Sequence, residues 1–199
     1  MIVIIDYGVG NLRSVQKSFE RAGVVAIITN DIGLITEATK LILPGVGNFE
    51  HAMKSLNSSG LLQTINHKVL VEKTPILGIC LGMQLMTRFS EEGNTEGLGW
   101  VDAITKKFKI DYKVPHIGWS TSEEVKENKF TKGISTSDEF YFVHSYYVET
   151  KNKELNMFET NYSHNFVSGF CKDNIYGVQF HPEKSYSKGI QLLKNFSEL

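Results

Sequence analysis

The chain of 199 residues is long enough for one domain with a sizeable core, and its 41% hydrophobic and 22% charged residues are typical of a soluble globular protein. A net charge of −1 argues against a basic nucleic-acid footprint. No apolar run approaches the roughly 18 residues of a membrane span, and the apolar stretch at the N-terminus is too short for a signal peptide. We therefore expect a cytosolic protein with a single domain over residues 1–199.

Apolar patterns in the first half of the chain predict an alternation of strands and helices. The predicted strands are residues 2–5, 24–29, 40–43 and 76–79. The predicted helices are residues 12–22, residues 49 to about 71 with a break near residues 57–60, and residues 83–89. Such an alternation indicates an α/β sheet with right-handed crossovers. Gly8 and Gly10 follow the first strand, but Arg13 stands where a dinucleotide-binding loop has its third glycine, which disfavours nucleotide binding.

The second half of the chain is predicted to be rich in short strands and to extend the same sheet. A polar loop at residues 90–99 precedes predicted strands at residues 100–108, 113–119, 139–150, 157–162, 166–171 and 175–180. Apolar spacing over residues 186–196 predicts an amphipathic C-terminal helix. The fold class is therefore α/β, with a mixed, mostly parallel central sheet flanked by helices and a β-rich C-terminal half.

The cysteines and two of the histidines suggest no cofactor and no metal site. Cys80 and Cys171 lie far apart in sequence, which is typical of free thiols in a reducing compartment. We expect Cys171 in a strand within the apolar core. His116 and His144 lie in predicted strands, and we expect them to be hydrogen-bonded structural residues rather than metal ligands.

The motif Gly78-Ile-Cys80-Leu-Gly82 joins a predicted strand to a predicted helix. This is the pattern of a nucleophile elbow with cysteine in place of serine. Gly78 and Gly82 would allow the strand and the helix to crowd around Cys80, and the helix N-terminus would favour a thiolate. The alternative is a buried, inert cysteine between two packing glycines.

A histidine and a glutamate follow the last predicted strand, separated by one proline. If the backbone stays extended through Pro182, His181 and Glu183 point to the same side. A carboxylate can orient an imidazole and stabilise its protonated form, and the imidazole can take the proton of a cysteine nucleophile. The alternative is a solvated turn after a strand.

The segment Pro44-Gly-Val-Gly47 follows the third predicted strand. Its glycines would allow the N–H of Val46 to turn toward a reaction centre, and the N–H of Leu81, directly after the nucleophile, is a second donor. Backbone donors of this kind stabilise the oxyanion of an acyl-transfer intermediate. The alternative is a tight strand–helix turn without a catalytic role.

These motifs together resemble the class I, or triad, glutamine amidotransferase family. Three further segments narrow the resemblance to the glutaminase subunits of imidazole glycerol phosphate synthases: residues 5–14, Pro115-His-Ile-Gly-Trp119 and Tyr141-Phe-Val-His-Ser-Tyr146. The resemblance runs from the first residues to the last helix.

The resemblance implies a role for each motif residue. Cys80 would attack the side-chain amide of glutamine, His181 would act as base and then as acid, and Glu183 would support it. Val46 and Leu81 would offer backbone N–H groups to the oxyanion. The residues expected to hold the amino-acid end of the substrate are Gly47, Gln84, Ser145 and Tyr146.

The resemblance also implies a heterodimer with a (β/α)₈-barrel cyclase, which would use the ammonia to make imidazole glycerol phosphate and AICAR in histidine biosynthesis. The positions that would face this partner and the ammonia exit are Asn11, Trp119, Tyr141 and Lys184. Ordinary core aromatics and a solvated charge are the alternatives for the last three. The flexible glycine turn at residues 44–47 further predicts that glutaminase activity is low in the isolated chain and rises when the partner binds its ligand.

One residue departs from the family pattern, in which the Pro-His-x-Gly-Trp motif usually continues with asparagine. Ser120 lacks the paired donor and acceptor of an amide, so the interface would be altered if this position meets the partner. Three other functions stay open: the same glutaminase feeding a sugar amidotransferase for surface glycans, a binding module with a dead site, and a peptidase of related fold. The intact triad residues disfavour the dead site, and Gln84 with the glycine turn disfavours the peptidase.

Overall fold

The computed structural model describes the backbone of residues 1–199 and every side chain except that of Glu124. The first part of its main sheet is parallel and consists of β1 (Ile2–Ile5), β2 (Ala26–Thr29), β3 (Lys40–Gly45) and β4 (Ile76–Cys80), in the order β2-β1-β3-β4. β1 and β4 are buried along their whole length, which explains why their sequences are continuous apolar runs.

Helices cover both faces of this sheet and connect its strands. They are α1 (Leu12–Arg21), α2 (Ile32–Glu37), α3 (Phe49–Ser58), α4 (Leu62–Asn66), α5 (Leu81–Leu85) and α6 (Tyr186–Ser197), with a π-helical turn at His67–Val71. The bounds predicted for the helix at residues 83–89 are wrong, because the observed helix α5 begins directly after Cys80 and ends before Phe89. Among the described residues, we find no helix whose length and apolar composition would suffice to span a bilayer.

The second half of the chain supplies short strands and 3₁₀ turns. The strands are β5 (Phe89–Ser90), β6 (Thr95–Glu96), β7 (Ile104–Lys107), β8 (His116–Ser120), β9 (Glu124–Val125), β10 (Phe140–His144), β11 (Tyr146–Glu149), β12 (Asn156–Tyr162), β13 (His164–Lys172) and β14 (Ile175–Val178). The 3₁₀ turns are Glu92–Asn94, Lys153–Leu155 and Pro182–Lys184. The sequence predicted a loop at residues 90–99. This prediction is wrong in part, because the segment contains strand residues of the short antiparallel pair β5–β6.

Most of these strands extend the main sheet, as expected. β14 pairs parallel to β4 and antiparallel to β13, and the sheet continues through β11, β7, β5 and β6. Two strands depart from the prediction, because β8 and β10 pair antiparallel with each other in a second sheet. The single strand predicted at residues 139–150 is accordingly divided at Ser145, whose carbonyl accepts the N–H of Phe108 at 3.1 Å.

The topology brings three strand ends together at one edge of the main sheet. Gly45, the last residue of β3, is the register partner of Cys80, the last residue of β4. On the other side of β4, Val178 of β14 is paired with Ile79. The segments that follow β3, β4 and β14 therefore meet at the carboxyl edge of the sheet, where open α/β folds place their ligands.

Candidate active site

Cys80 occupies a strained turn between β4 and α5. Its backbone has φ +54° and ψ −110°, and the helix begins at the next residue. A positive φ is uncommon for a residue with a side chain and costs on the order of 1–3 kcal/mol, so the surrounding structure must impose it. The turn leaves the thiol almost completely buried, at the edge where the parallel strands end.

Close backbone packing on both sides of this turn requires glycine. A Cβ atom at Gly82 would overlap the backbone carbonyl of Leu43, and a Cβ atom at Gly78 would lie 2.7 Å from the backbone nitrogen of Met83. Gly45 meets the same helix, because its Cβ atom would lie 2.8 Å from the nitrogen of Gly82. These obstacles are main-chain atoms that cannot turn aside. The expectation that glycines allow strand and helix to crowd around the elbow is confirmed.

His181 and Glu183 form a buried pair beyond the end of β14. Nδ1 of His181 lies 2.7 Å from Oε1 of Glu183, and their side chains are 1% and 2% exposed. The backbone does not stay extended through Pro182, as the sequence analysis assumed. It forms a 3₁₀ turn, closed by the N–H of Lys184, which donates to the carbonyl of His181 at 3.0 Å. Proline suits the first position of this turn because its φ is already helical and the turn does not need its N–H.

The free side of the His181 ring faces the thiol. Since Nδ1 is engaged by Glu183, Nε2 is left for other groups, and it is buried and forms no hydrogen bond to any part of the chain that the structure describes. Burial alone would lower the pKa of His181, but the charge and contact of Cys80, followed by those of Glu183, outweigh it and raise the pKa above its ordinary value. The imidazole is therefore held as a cation beside the sulfur of Cys80.

A cavity of about 420 Å³ opens above these groups. The predicted site residues that line it are Val46, Gly47, Cys80, Leu81, Gln84, Ser145, Tyr146, His181 and Lys184. Glu183 lies behind His181. Glu92, which no sequence motif indicated, also lines the cavity. Its carboxylate accepts a hydrogen bond from the N–H of Phe49, the first residue of α3, at 2.9 Å.

The glycine turn after β3 forms one wall of the cavity. Val46 is 41% exposed, and Gly47 has φ +94°, a conformation that favours glycine. Tyr7 supports this wall, because its hydroxyl donates to the carbonyl of Pro44 at 2.7 Å. Burial, and then the charge of Cys80, raise the pKa of Tyr7 above its ordinary value, so its hydroxyl keeps its proton. Local sequence patterns indicated no role for Tyr7.

The structure brings together three of the four residues that the resemblance assigns to a partner surface. The ring centroids of Trp119 and Tyr141 are 5.7 Å apart, and Nζ of Lys184 lies 5.4 Å from the Tyr141 centroid. Trp119 is 39% exposed and is not an ordinary core aromatic; Tyr186, which the sequence analysis did not single out, stacks on it at 4.8 Å. Asn11 is exposed on a different element, directly before α1.

Another residue that the sequence did not indicate contacts the nucleophile itself. Nε2 of Gln179 donates to Sγ of Cys80 at 3.6 Å, and its Oε1 accepts from Nε2 of Gln84 at 2.8 Å. The sequence pattern indicated only that Gln179 lies in a strand over residues 175–180. An amide in an otherwise apolar run, two residues before His181, was the signal that could have revealed it.

His116 and His144 are hydrogen-bonded within the protein, as expected. Nδ1 of His116 lies 3.1 Å from Nε2 of His144, and Nε2 of His116 lies 3.0 Å from Oγ of Ser120. Burial lowers the pKa of His116 to about 4 and that of His144 to about 3. The side chain of Ser120 thus contacts a histidine of the same chain. The serine that replaces the family's asparagine therefore affects this internal hydrogen bond. Cys171 lies in β13, but it is half-buried rather than part of the core.

Comparisons with known proteins agree with this geometry. The model of the family "Glutamine amidotransferase class-I" matches residues 3–198. The chain is 51% identical to imidazole glycerol phosphate synthase subunit HisH 2 of Methanococcus maripaludis over 198 residues, which cover 98% of each chain. It is 46% identical to subunit HisH 1 of the same synthase from Campylobacter jejuni, with 100% of both chains covered.

The fold also matches a solved structure. A crystal structure of a glutamine amidotransferase superposes with a TM-score of 0.78 and 16% identity, covering 100% of this chain and 98% of that chain. At this identity the likeness concerns the fold alone. The predicted fold class, a mixed and mostly parallel sheet flanked by helices with a β-rich C-terminal half, is thereby confirmed.

Proposed function

Because the chain belongs to the class-I glutamine amidotransferase family, we propose that it is the glutaminase subunit of an imidazole glycerol phosphate synthase. It hydrolyses glutamine to glutamate and delivers the ammonia to a cyclase that makes imidazole glycerol phosphate and AICAR. One observation carries this proposal: the strained Cys80 shares a cavity with His181, whose second nitrogen is bound to Glu183. The two relatives named above carry the name of this synthase, and they favour it over sugar amidation.

The reaction uses Cys80 as the nucleophile. Its thiolate attacks the side-chain carboxamide carbon of glutamine, and a carbon–sulfur bond forms as the carbonyl oxygen becomes an oxyanion. His181 then gives its Nε2 proton to the departing nitrogen, so ammonia leaves and a γ-glutamyl thioester stays on the enzyme. In the second half, His181 takes a proton from water, the hydroxide attacks the thioester, and glutamate and the thiolate are released.

Glu183 keeps His181 in the orientation that both steps need. Its carboxylate accepts the Nδ1–H of the ring at 2.7 Å, which leaves Nε2 directed toward the thiol and the substrate. A buried carboxylate beside the ring also stabilises the imidazolium that forms each time the ring accepts a proton.

Backbone donors and the cavity walls provide the rest of the site. The N–H groups of Leu81, at the start of α5, and Val46, after β3, stabilise the oxyanion, and one such donor contributes about 3–4 kcal/mol to the transition state. A cavity of about 420 Å³ suits a small amino acid. The residues that bind the amino-acid end of glutamine are Gly47, Gln84, Ser145 and Tyr146.

The partner is a (β/α)₈-barrel cyclase, bound in the cytoplasm as a heterodimer by this single domain of residues 1–199. Its contact surface includes Asn11 and the exposed group formed by Trp119, Tyr141 and Lys184. Lys184 supports this assignment, because it both lines the cavity and lies over the Tyr141 ring. Ammonia released at Cys80 leaves the cavity on this side.

The test is to purify the full chain with its candidate cyclase, to supply the cyclase's own substrate, and to measure imidazole glycerol phosphate formed with glutamine or with ammonium salts as the nitrogen source. We expect glutamine to support product formation in the complex, and we expect slow glutamine hydrolysis by the isolated chain. Cys80→Ala in the same complex should abolish product formation from glutamine and retain that from ammonium. A complex that uses ammonium but not glutamine would contradict the proposal. Equal glutaminase rates with and without the cyclase would contradict the activation.

A further inference from the structure

A buried chain of hydrogen bonds leads from Ser120 toward the active site. Oγ of Ser120 lies 3.0 Å from Nε2 of His116, whose Nδ1 lies 3.1 Å from Nε2 of His144. Nδ1 of His144 in turn lies 2.8 Å from the backbone carbonyl oxygen of Tyr146. This chain joins the second sheet, formed by β8 and β10, to the wall of the cavity.

Two glutamines continue the chain to the nucleophile. Nε2 of Gln84 donates to the same Tyr146 carbonyl at 3.0 Å and to Oε1 of Gln179 at 2.8 Å. Nε2 of Gln179 then donates to Sγ of Cys80 at 3.6 Å. Both glutamine side chains are almost completely buried, so water does not replace these contacts.

Only one assignment of donors and acceptors fits this series of hydrogen bonds. The Tyr146 carbonyl can only accept, so the nitrogen of Gln84 must face it, and the same NH₂ group then donates its second hydrogen to Gln179. Oε1 of Gln179 is thereby the acceptor of this contact, and its NH₂ group must face the sulfur. The orientation of the Gln179 amide is therefore determined by its neighbours.

The backbone of Gln179 is held as firmly as its side chain. Its N–H donates to the carbonyl of Ser168 at 2.9 Å. Val178 is the register partner of Ile79. The next residue on each strand is Gln179 and Cys80, so the two lie side by side. Burying an amide costs free energy unless its hydrogen bonds are made, and here the partner of its donor end is the nucleophile.

We propose that Gln179 is a positioning residue for the nucleophile, whose amide holds the Cys80 sulfur toward His181 and stabilises its thiolate. The inference rests on the proposed role of Cys80. His181 supplies the positive charge near the sulfur, and Tyr7 is neutral. Gln179 adds a directed hydrogen bond, which limits the rotation of the thiol without taking part in proton transfer.

The test measures alkylation of the full chain by iodoacetamide between pH 5 and 9, with each cysteine quantified by mass spectrometry. Gln179→Met removes the donor, and Gln179→Glu keeps the size and the acceptor for Gln84 but places a carboxylate against the sulfur. For both variants we expect the pH midpoint of Cys80 alkylation to rise by about one unit, with a rate at pH 6–7 about tenfold lower.

A matched control is Gln191→Met on α6, whose amide donates to Oδ1 of Asn195 at 2.8 Å. This variant should leave the Cys80 profile unchanged. With glutamine as substrate, the Gln179 variants should lower kcat and leave KM within about twofold. A merely structural role would reduce the folded fraction without moving the pH midpoint.

The outcomes separate this inference from the proposed function. If Cys80 of the unaltered chain reacts faster than Cys171 but folded Gln179 variants give the same pH profile, the positioning role is wrong and the nucleophile stands. If Gln179→Met does not fold, an unchanged profile for Gln179→Glu overturns the inference equally well. If Cys80 of the unaltered chain reacts no faster than Cys171, the nucleophile assignment and the inference both fail.

Discussion

The surroundings of Cys80 and Cys171 differ in almost every physical respect. Cys80 lies at a positive φ beside a protonated imidazole and accepts a hydrogen bond from Gln179. Cys171 lies within β13, half-buried, and its sulfur contacts the carbonyl of Asp173 at 3.7 Å. Burial raises the pKa of the Cys171 thiol, and the Asp173 carbonyl can only accept a hydrogen bond from it.

The comparison shows that the environment, rather than the presence of a cysteine, makes a nucleophile. A thiolate needs a nearby cation and donors. At Cys171 the contact with the Tyr176 side chain favours the thiolate, but burial outweighs this contact and raises the pKa of the thiol. The elbow provides a cation and an amide donor at the sulfur of Cys80, and close-packed glycines hold the strained backbone. Four predictions break or sharpen this contrast, from the largest expected effect to the smallest.

Removing each thiol in turn gives the largest contrast. Cys80→Ala should lower glutamine hydrolysis by the assembled complex by about 10⁴-fold or more, since no thioester can form. Cys171→Ala should leave the rate within about twofold. Release of glutamate by the two purified variants checks this, with circular dichroism to show that both are folded. Substantial activity in Cys80→Ala would remove the basis of the comparison.

Removing the carboxylate behind His181 should have the next largest effect. In Glu183→Gln the amide no longer stabilises the imidazolium and can favour the wrong ring tautomer, so kcat should fall by about 10³-fold with little change in KM. Steady-state kinetics of the complex measure this. The control is Glu154→Gln in an exposed 3₁₀ turn, which should behave like the unaltered chain. Equal kcat values for the two variants would show that Glu183 does not support the reaction.

Crowding the elbow should destabilise the fold. In Gly82→Ala the new Cβ atom overlaps the carbonyl of Leu43, and the free energy of unfolding should fall by about 3 kcal/mol or more. In Gly33→Ala on α2 the Cβ atom meets only a side-chain oxygen of Asp31, and the change should stay within about 1 kcal/mol. Urea unfolding measures both. Similar stabilities would show that the turn under Cys80 does not depend on its glycine.

Acid should destabilise the protein through two buried neutral histidines, His116 and His144, which are hydrogen-bonded to each other. The pKa values of His116 and His144 are about 4 and about 3, so between pH 6.5 and 4 the unfolded chain binds protons that the folded chain does not. Stability therefore falls as the pH falls through this range, and we expect Tm to drop by roughly 3–6 °C from pH 7 to pH 5.

Variants locate the origin of this acid sensitivity. His144→Gln should reduce the dependence of Tm on pH, even if its Tm at pH 7 is lower. His51→Gln, at an exposed position on α3, should leave the dependence unchanged. A pH dependence in His144→Gln equal to that of the unaltered chain would show that protons bind elsewhere.

The sequence predicted the Cys80 half of the molecule better than the half that contains Cys171. β1 covers residues 2–5, as predicted, because a strand buried on both faces leaves a continuous apolar run. The separate pairing of β8 with β10 was not predicted, since strands of the two sheets share the same local composition. Which strands pair is decided by contacts between distant residues, and no local pattern records them.

The candidate site shows the same limit at the level of single residues. Motifs indicated Cys80 and His181, because each lies next to a strand end with a characteristic local sequence. The roles of Gln179 and Tyr7 were not predicted, because each depends on a contact with a residue distant in sequence. Gln179 contacts Cys80 across 99 positions, and Tyr7 contacts Pro44 across 37 positions. The 3₁₀ turn after His181 was also missed, because a proline fits both an extended segment and the first position of a helical turn.

The most direct test of the account is to treat the assembled complex with a glutamine-mimicking electrophile and to locate the adduct by mass spectrometry. The sulfur of Cys80 lies in the cavity wall, and the His181 imidazole lies beside it in the same cavity. We predict a single adduct, on Cys80, that forms with the loss of glutaminase activity and is prevented by excess glutamine. Labelling of Cys171 with Cys80 unmodified, or loss of activity without an adduct on Cys80, would contradict the account.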